Sequence, residues 1–301
     1  MKTRFDKLFP KVCRTYRLIE EIGSGGSGAV YLTWHKRLRK YVVLKAAKIN
    51  SAEVQEVFRN EVEALKNIKN THVPQVLDIL FENDYCFTVI EYIKGESFDK
   101  LLKKGRIFTE DQITTWYSQL ASALDAIHKH DVYHRDIKPA NIMLTSYGDI
   151  CLIDFNSALV NGNNTGVISR SMGYASPEQY EFFKMCRSHI TDTVKGNSDH
   201  CETVLFENDC GTDLLPGEQS AYNSGTFGID WKLSDIYSLG ATMYHLLTGK
   251  RPPVRADEVA QIPRLSEHPE RLLRIIERSM RTNPSQRFVS AKELGYAIGT
   301  I

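Results

Sequence analysis

No apolar run in this 301-residue chain approaches the roughly 20 residues needed to cross a bilayer. Its first residues, MKTRFDKLFPKVCRTY, interleave charge with apolar side chains and lack the uninterrupted core of a secretory signal. An excess of charge is missing as well. The 38 basic and 37 acidic residues give a formal charge of +1, so a global field for nucleic acid or an anionic membrane is not indicated. Cysteines occur at 13, 86, 151, 186, 201 and 210 without a CxxC pair, and reduced thiols are the expected state. No internal repeat is evident. These absences predict a cytoplasmic protein with no membrane span and no nucleic-acid partner. What is present, 42% apolar and 25% charged residues, suffices for a large core divided into two lobes.

The first third reads mainly as strands. Segments 15–22, 29–35, 41–49, 76–82 and 85–92 are rich in β-branched and aromatic residues and several are parted by glycines or charged turns. One helical stripe interrupts them at 52–68, where Val54, Phe58, Glu61, Leu65 and Ile68 recur at spacings of four and three. Beyond residue 95 the chain turns helical. Thr109 and Gln112 have the spacing of a capping box, and Trp116, Leu120, Leu124 and Ile127 continue behind it. Two short strands are expected at 142–145 and 150–153, and helices at 229–248, 270–281 and 291–298. Residues 181–227 are polar and lack sustained periodicity. The organisation inferred is an N-terminal extension (1–15), a β-rich lobe (16–93) and a helical lobe (94–301) with one long insertion at 181–227.

Several stretches carry chemistry. Gly23-Ser24-Gly25-Gly26-Ser27-Gly28-Ala29-Val30 lies between two strand candidates, where missing Cβ atoms let backbone N–H groups approach phosphates. A dinucleotide-binding turn would open a helix, whereas Val30-Tyr31-Leu32 continues as a strand, which favours a phosphate-covering hairpin. In VVLKAAKI, alternation places Lys45 on the face of Val43 and Ala47, and Lys48 on the opposite face. Glu61, a carboxylate within the apolar stripe of the 52–68 helix, needs a partner that a strand lysine can supply. In HRDIKPAN (134–141), Asp136 can accept a proton, Lys138 can neutralise an anion and Asn141 can ligate a hard cation. Asp154 closes the apolar strand ICLIDF, and Asn141 and Asp154 are hard oxygen ligands suited to Mg²⁺.

Taken in order, these features resemble the eukaryotic-type serine/threonine protein kinase family from about residue 16 to 298. GxGxxGxV is matched by Gly23 to Val30, the third-strand Lys by Lys45 and the helix Glu by Glu61. HRDxxxxN is matched by His134, Arg135, Asp136 and Asn141, and the metal-binding Asp by Asp154. Ser176-Pro177-Glu178 stands for the APE stretch, Asp235 in SDIYSLG for the buried helix Asp, and Arg287 in NPSQRF for the Arg that pairs with the APE Glu. The resemblance implies an α+β class, the bilobal protein kinase fold, with a β-rich N-lobe holding one key helix and a mainly helical C-lobe. It implies ATP and Mg²⁺ as cofactors and a protein substrate whose Ser or Thr hydroxyl receives the γ-phosphate, with autophosphorylation.

By the same resemblance Asp136 orients the hydroxyl and takes its proton, and Lys138 stabilises the γ-phosphate. Lys45, held by Glu61, grips the α- and β-phosphates. Gly23, Gly25, Gly28, Val30 and Val43 surround the nucleotide. Ile90 is the gatekeeper, the backbones of Glu91 and Ile93 bond adenine, and Asn141 and Asp154 hold magnesium. Lys138 and Ser171 point to the Ser/Thr-specific branch, in which a hydroxyl at the place of Ser171 bonds the catalytic loop. Arg135 is a cation that in this family often awaits a phosphate on the activation segment, with Thr165 and Ser169 the favoured acceptors.

Three departures stand out: Asn156 for the glycine of DFG, Val43 for the usual small residue above adenine, and Ser176 for the alanine of APE. Asn156 and the insertion motivate a rival reading, a nucleotide-binding pseudokinase scaffold. The insertion holds eight acidic against three basic residues, which suits a regulatory or substrate-docking element. Contacts between two copies, through the N-lobe or the activation segment, are a further expectation. Cys186, His189, His200, Cys201 and Cys210 offer metal ligands, at spacings that match no standard zinc finger.

Overall fold

Runs of β-branched and aromatic residues build an antiparallel sheet of five strands: β1 (Tyr16–Gly25), β2 (Gly28–His35), β3 (Lys40–Lys48), β4 (Val76–Glu82) and β5 (Tyr85–Glu91), in the order β1-β2-β3-β5-β4. The computed structural model describes residues 4–25, 28–49, 55, 59, 62–155, 158–160, 163–164, 167–188, 193–195, 201–205, 228–265 and 267–299. The chain divides into two compact units, Met1–Lys69 with Pro74–Ile93, and Asn70–Val73 with Lys94–Ile301. The first is β-rich and the second mainly helical, an α+β architecture. No described helix is long and apolar enough to cross a membrane.

In the first unit one face of the central strands β3 and β5 is buried. Val42, Leu44 and Ala46 of β3 and Phe87 and Val89 of β5 pack with Phe5, Phe9, Val12 and Tyr16. The N-terminal extension is therefore folded, as helices Arg4–Leu8 and Val12–Thr15. Phe5, Phe9, Val12 and Tyr16 recur at helical spacings of four and three, a stripe that explains which face turns inward. Phe9 meets Phe87 edge-on, with ring centroids 4.9 Å apart. The buried Glu82 carboxylate accepts the backbone N–H groups of Lys11 (2.7 Å) and Val12 (2.8 Å). Each such buried aromatic contributes about 1.5–3 kcal/mol, which makes the extension an integral part of the sheet's core.

Gly28 has φ +127° and a Cβ there would lie 2.0 Å from the Ala46 carbonyl oxygen. Glycine is required at 28 by the pairing of β2 with β3, apart from any phosphate. Of the helix expected at 52–68, residues 62–66 are described as helical, with Val62, Leu65 and Ile68 buried. Glu61 lies outside the described residues.

The second unit is organised by helix Glu110–His128. Thr109 caps it, accepting the Gln112 N–H while the Gln112 side chain accepts the Thr109 N–H, and Ile113, Trp116, Tyr117, Leu120, Leu124 and Ile127 are buried behind the cap. Helix Trp231–Thr248 opens on Asp230, whose carboxylate accepts the Lys232 N–H, and stops at Gly249 in left-handed backbone (φ 67°). It crosses helix Glu270–Ser279 closely: a Cβ on Gly240 would stand 2.6 Å from Ser279 Cβ.

Three small sheets lie among the described residues of this unit. Gly95–Ser97 pairs with Ile142–Thr145, which pairs with Ile150–Leu152. Leu159–Val160 lies between Val132–Tyr133 and Asn163–Asn164. In the third, Val167–Ser171 pairs with Cys201–Leu205, and the latter with Thr193–Lys195. The insertion read from sequence as aperiodic thus begins within helix Pro177–Ser188 and, among its described residues, contributes strands Thr193–Lys195 and Cys201–Leu205.

Candidate active site

In the β-rich unit, cross-strand register gathers the nucleotide candidates. Val30 is opposite Lys45, Lys45 opposite Thr88, and Val43 opposite Ile90. Directly opposed residues share a face, so Val30, Val43, Lys45 and Ile90 lie on one side of the sheet, and Leu44 and Ala46 point into the aromatic core on the other. Lys45 is half-buried; Lys48, on the face of Leu44 and Ala46, is exposed because the strand ends there. Gly23 pairs with Val30 and Gly25 with Gly28, so the glycine stretch is a β-hairpin and does not open a helix. The Glu91 N–H is donated to the Gln75 carbonyl (2.9 Å), which leaves the Glu91 carbonyl as the group at 91 suited to an adenine amine. Ile93 ends this unit.

In the helical unit, 134–141 hangs from one buried carboxylate. Asp235, on helix Trp231–Thr248, accepts the N–H of His134 through Oδ2 and the N–H of Arg135 through Oδ1, both at 2.8 Å. Its Oδ2 also meets His128 Nε2 at 3.0 Å. Arg135 is held in left-handed backbone (φ 60°), a conformation that costs a non-glycine residue about 1–2 kcal/mol. The bond from Asp235 and a 2.6 Å bond from Gln179 Nε2 to the Arg135 carbonyl offset that cost. Gln179 and His128 carry no signal in the sequence, because their partners lie 44 and 107 residues away.

The reactive groups follow at once. Asp136 Oδ1 accepts the Ser171 hydroxyl (2.7 Å), and Oδ2 accepts Lys138 Nζ (2.8 Å) and Asn141 Nδ2 (2.9 Å). Lys138 also donates to Ser171 Oγ at 3.0 Å. The carboxylate is thus aimed by three side chains. Because Asn141 spends its N–H groups on Asp136, its carbonyl oxygen is the atom chemically suited to a hard cation. The Ile153 N–H bonds the Asn141 carbonyl (2.8 Å), which ties the segment carrying Asp154 to that carrying Asn141. Asp154 has φ 70°, in the left-handed region that Asp and Asn adopt more readily than other side chains. The oxygen donor pair Asn141 and Asp154 fits Mg²⁺ in ligand type. Asn156 and Thr165 lie outside the described residues, as do His189, His200 and Cys210 of the proposed metal set.

Ser176 is fully buried, and its hydroxyl meets Ser234 Oγ (2.9 Å) and accepts the Gln179 N–H (3.3 Å), so the polar replacement for alanine is hydrogen-bonded. Glu178 forms a bidentate pair with Arg287, which is 1% exposed.

His134 is wholly buried. Its Nε2 faces the Ile153 carbonyl (3.0 Å) and its Nδ1 accepts the Asp136 N–H (3.3 Å), the pattern of a neutral ring. Burial holds its pKa below the ordinary value of 6.5, with Asp235 and Asp136 opposing in part. Below about pH 6.5 the unfolded chain therefore binds a proton that the folded one refuses, and stability falls with falling pH at up to about 1.4 kcal/mol per unit from this residue. Urea unfolding between about pH 7.5 and 5.5 measures that slope, which a His134→Gln substitution should reduce by up to one proton.

A family model described as "Protein kinase domain" matches residues 16–190. Among curated relatives, a protein named serine/threonine-protein kinases PknA of Corynebacterium glutamicum is 27% identical over 317 residues, covering 98% of this chain and 58% of the relative. One named serine/threonine-protein kinases drp72 of Corynebacterium efficiens is 27% identical, covering 95% of this chain and 50% of the relative. Serine/threonine-protein kinase Nek6 of Oryza sativa subsp. japonica is 27% identical, covering 90% and 45%. The chain spans about half the length of these relatives.

Proposed function

Because this chain belongs to the protein kinase domain family, we propose that it transfers the γ-phosphate of ATP to Ser or Thr hydroxyls of a protein substrate. The observation that carries the reading is the aimed carboxylate of Asp136, set by Ser171, Lys138 and Asn141 on a loop suspended from Asp235. Asp136 would orient the incoming hydroxyl and hold its proton at a carboxylate oxygen as the bond to phosphorus forms. Lys138 would meet the transferred phosphoryl group in exchange for its present bond to Asp136. Asn141 and Asp154 would hold magnesium, which when bound neutralises phosphate charge. Lys45 and the Gly23–Gly28 hairpin would receive the phosphates, with Glu61 as the partner of Lys45. Val30, Val43, Ile90 and the backbones at Glu91 and Ile93 would receive adenine. A cytoplasmic setting is part of this reading, as is autophosphorylation.

Positioning and charge neutralisation would supply the rate, since no covalent bond to the protein is needed. The pseudokinase reading meets a specific objection: Asp136, Lys138 and Asn141 form one hydrogen-bonded cluster of the kind a catalyst needs. Incubation with Mg²⁺, labelled ATP and a generic basic protein is the test. Transfer should occur, and Lys45→Met and Asp154→Ala should each abolish it with the melting temperature unchanged. Full activity in either variant would sink the assignment.

A further inference from the structure

Resting on the kinase reading, we propose that strand Cys201–Leu205 of the insertion is a positioning element. It holds the activation segment in its productive form by β-pairing within the chain, in place of a phosphate on that segment. The register carries the inference. Val167 lies opposite Leu205, Ser169 opposite Thr203 and Ser171 opposite Cys201, so the pairing runs up to the residue whose hydroxyl bonds Asp136. Adjacent strands are about 5 Å apart, which places the backbone at 201 one strand spacing from the backbone at 171. Strand Cys201–Leu205 is itself the middle strand, backed by Thr193–Lys195. It therefore presents the activation segment with a supported template.

The segment is secured at its other end as well, where Leu159–Val160 pairs with Val132–Tyr133 just ahead of the catalytic loop. Residues 159–160 and 167–171, hydrogen-bonded in this way, give up conformational freedom that a phosphate would otherwise be needed to remove. The cation that this family would offer to such a phosphate is itself buried. Arg135 is 2% exposed, and its guanidinium carbon sits 5.2 Å over the ring of Trp231, the residue that opens the helix after the insertion. The paired strand of the insertion thus keeps Ser171 on Asp136 and Lys138 without a modification.

The experiment uses the full chain and a substitution that breaks the strand and leaves the core alone. In a middle strand every N–H faces one neighbour or the other, so Thr203→Pro removes a ladder bond and should release the pairing. Hydrogen exchange of amides 167–171 should rise. Through loss of the Ser171 contact to a charged group, kcat for a basic protein substrate should fall about tenfold to a hundredfold, with KM for ATP unchanged. Thr203→Val, which keeps the N–H and the β-branch, should restore both. In a Ser171→Ala background the Thr203→Pro substitution should cost nothing further, because the strand acts through that hydroxyl. Phosphatase treatment should leave wild-type activity within about twofold.

Loss of wild-type activity on phosphatase treatment would overturn the proposal, as would a more active Thr203→Pro enzyme, which would make the hairpin a block. Unchanged exchange and kinetics would do the same, and so would a full additive loss on Ser171→Ala. An inactive wild type whose amides 167–171 are protected until Thr203→Pro exposes them would instead refute the kinase reading and leave the pairing intact.

Discussion

Asp136→Asn is expected to lower phosphoryl transfer by about 10²- to 10⁴-fold, the range that a positioned proton acceptor supplies. The amide cannot take the hydroxyl proton at neutral pH. Its single oxygen can still accept from Lys138 or Asn141, and its NH₂ can turn to Ser171 Oγ, so the cluster keeps its hydrogen bonds and the fold should survive. Lys138 loses its carboxylate partner, which adds to the loss of rate, and keeps its bond to Ser171 Oγ, which limits the cost in stability. Labelled-phosphate incorporation read beside a thermal melt separates the two: rate gone, melt unchanged. A variant within about twofold of wild type would remove Asp136 from the chemistry and leave the proposed function without its base.

Arg287→Ala should be the most destabilising single change on the helical unit. The guanidinium forms a bidentate pair with Glu178 and also donates to the carbonyls of Arg281 (2.7 Å), Leu233 (2.9 Å) and Thr282 (3.3 Å). Its carbon lies 5.0 Å over the Tyr237 ring. Removing it strands three carbonyls and the largely buried Glu178 carboxylate, a loss of about 3–5 kcal/mol by the usual cost of breaking a buried pair. For a unit of this size the melting temperature should drop on the order of 10 °C. Arg287→Lys should recover little, since an ammonium cannot span two carboxylate oxygens and three carbonyls at once. The control is Arg274→Ala: Arg274 pairs with Glu270, but both side chains are 66% exposed, and its loss should cost under about 0.5 kcal/mol. Equal melting shifts in the two variants would show that burial of the Glu178–Arg287 pair is not what matters.

Much of the five-stranded sheet was legible in the sequence because its signal is local. Alternation in VVLKAAKI separates Lys45 from Lys48 with no knowledge of the neighbouring strands, and the observed register of Lys45 with Val30 and Thr88 agrees with it. The Thr109–Gln112 cap was equally local, its two hydrogen bonds closing within three residues. The folding of the N-terminal extension was not legible: Phe5, Phe9, Val12 and Tyr16 are too few and too close to a proline to mark a helix, and only the sheet they cover shows their role. At the site, the spacing within HRDIKPAN places Asp136, Lys138 and Asn141 within reach of one another, and the structure adds their common partner, Ser171.

The sequence by itself determined the class of chemistry: an acceptor, a cation and two hard oxygen ligands in a fixed order, each readable because side-chain type and short spacing decide it. Tertiary structure alone decided how that chemistry is held. Asp235 reaches the catalytic loop across about a hundred residues, and Gln179 clamps Arg135 from a helix with no shared periodicity. The pairing of 201–205 with 167–171 was invisible for a further reason. It is made by backbone N–H and C=O groups, which every residue but proline offers alike, so strand partners far apart in the chain leave no mark in the order of side chains.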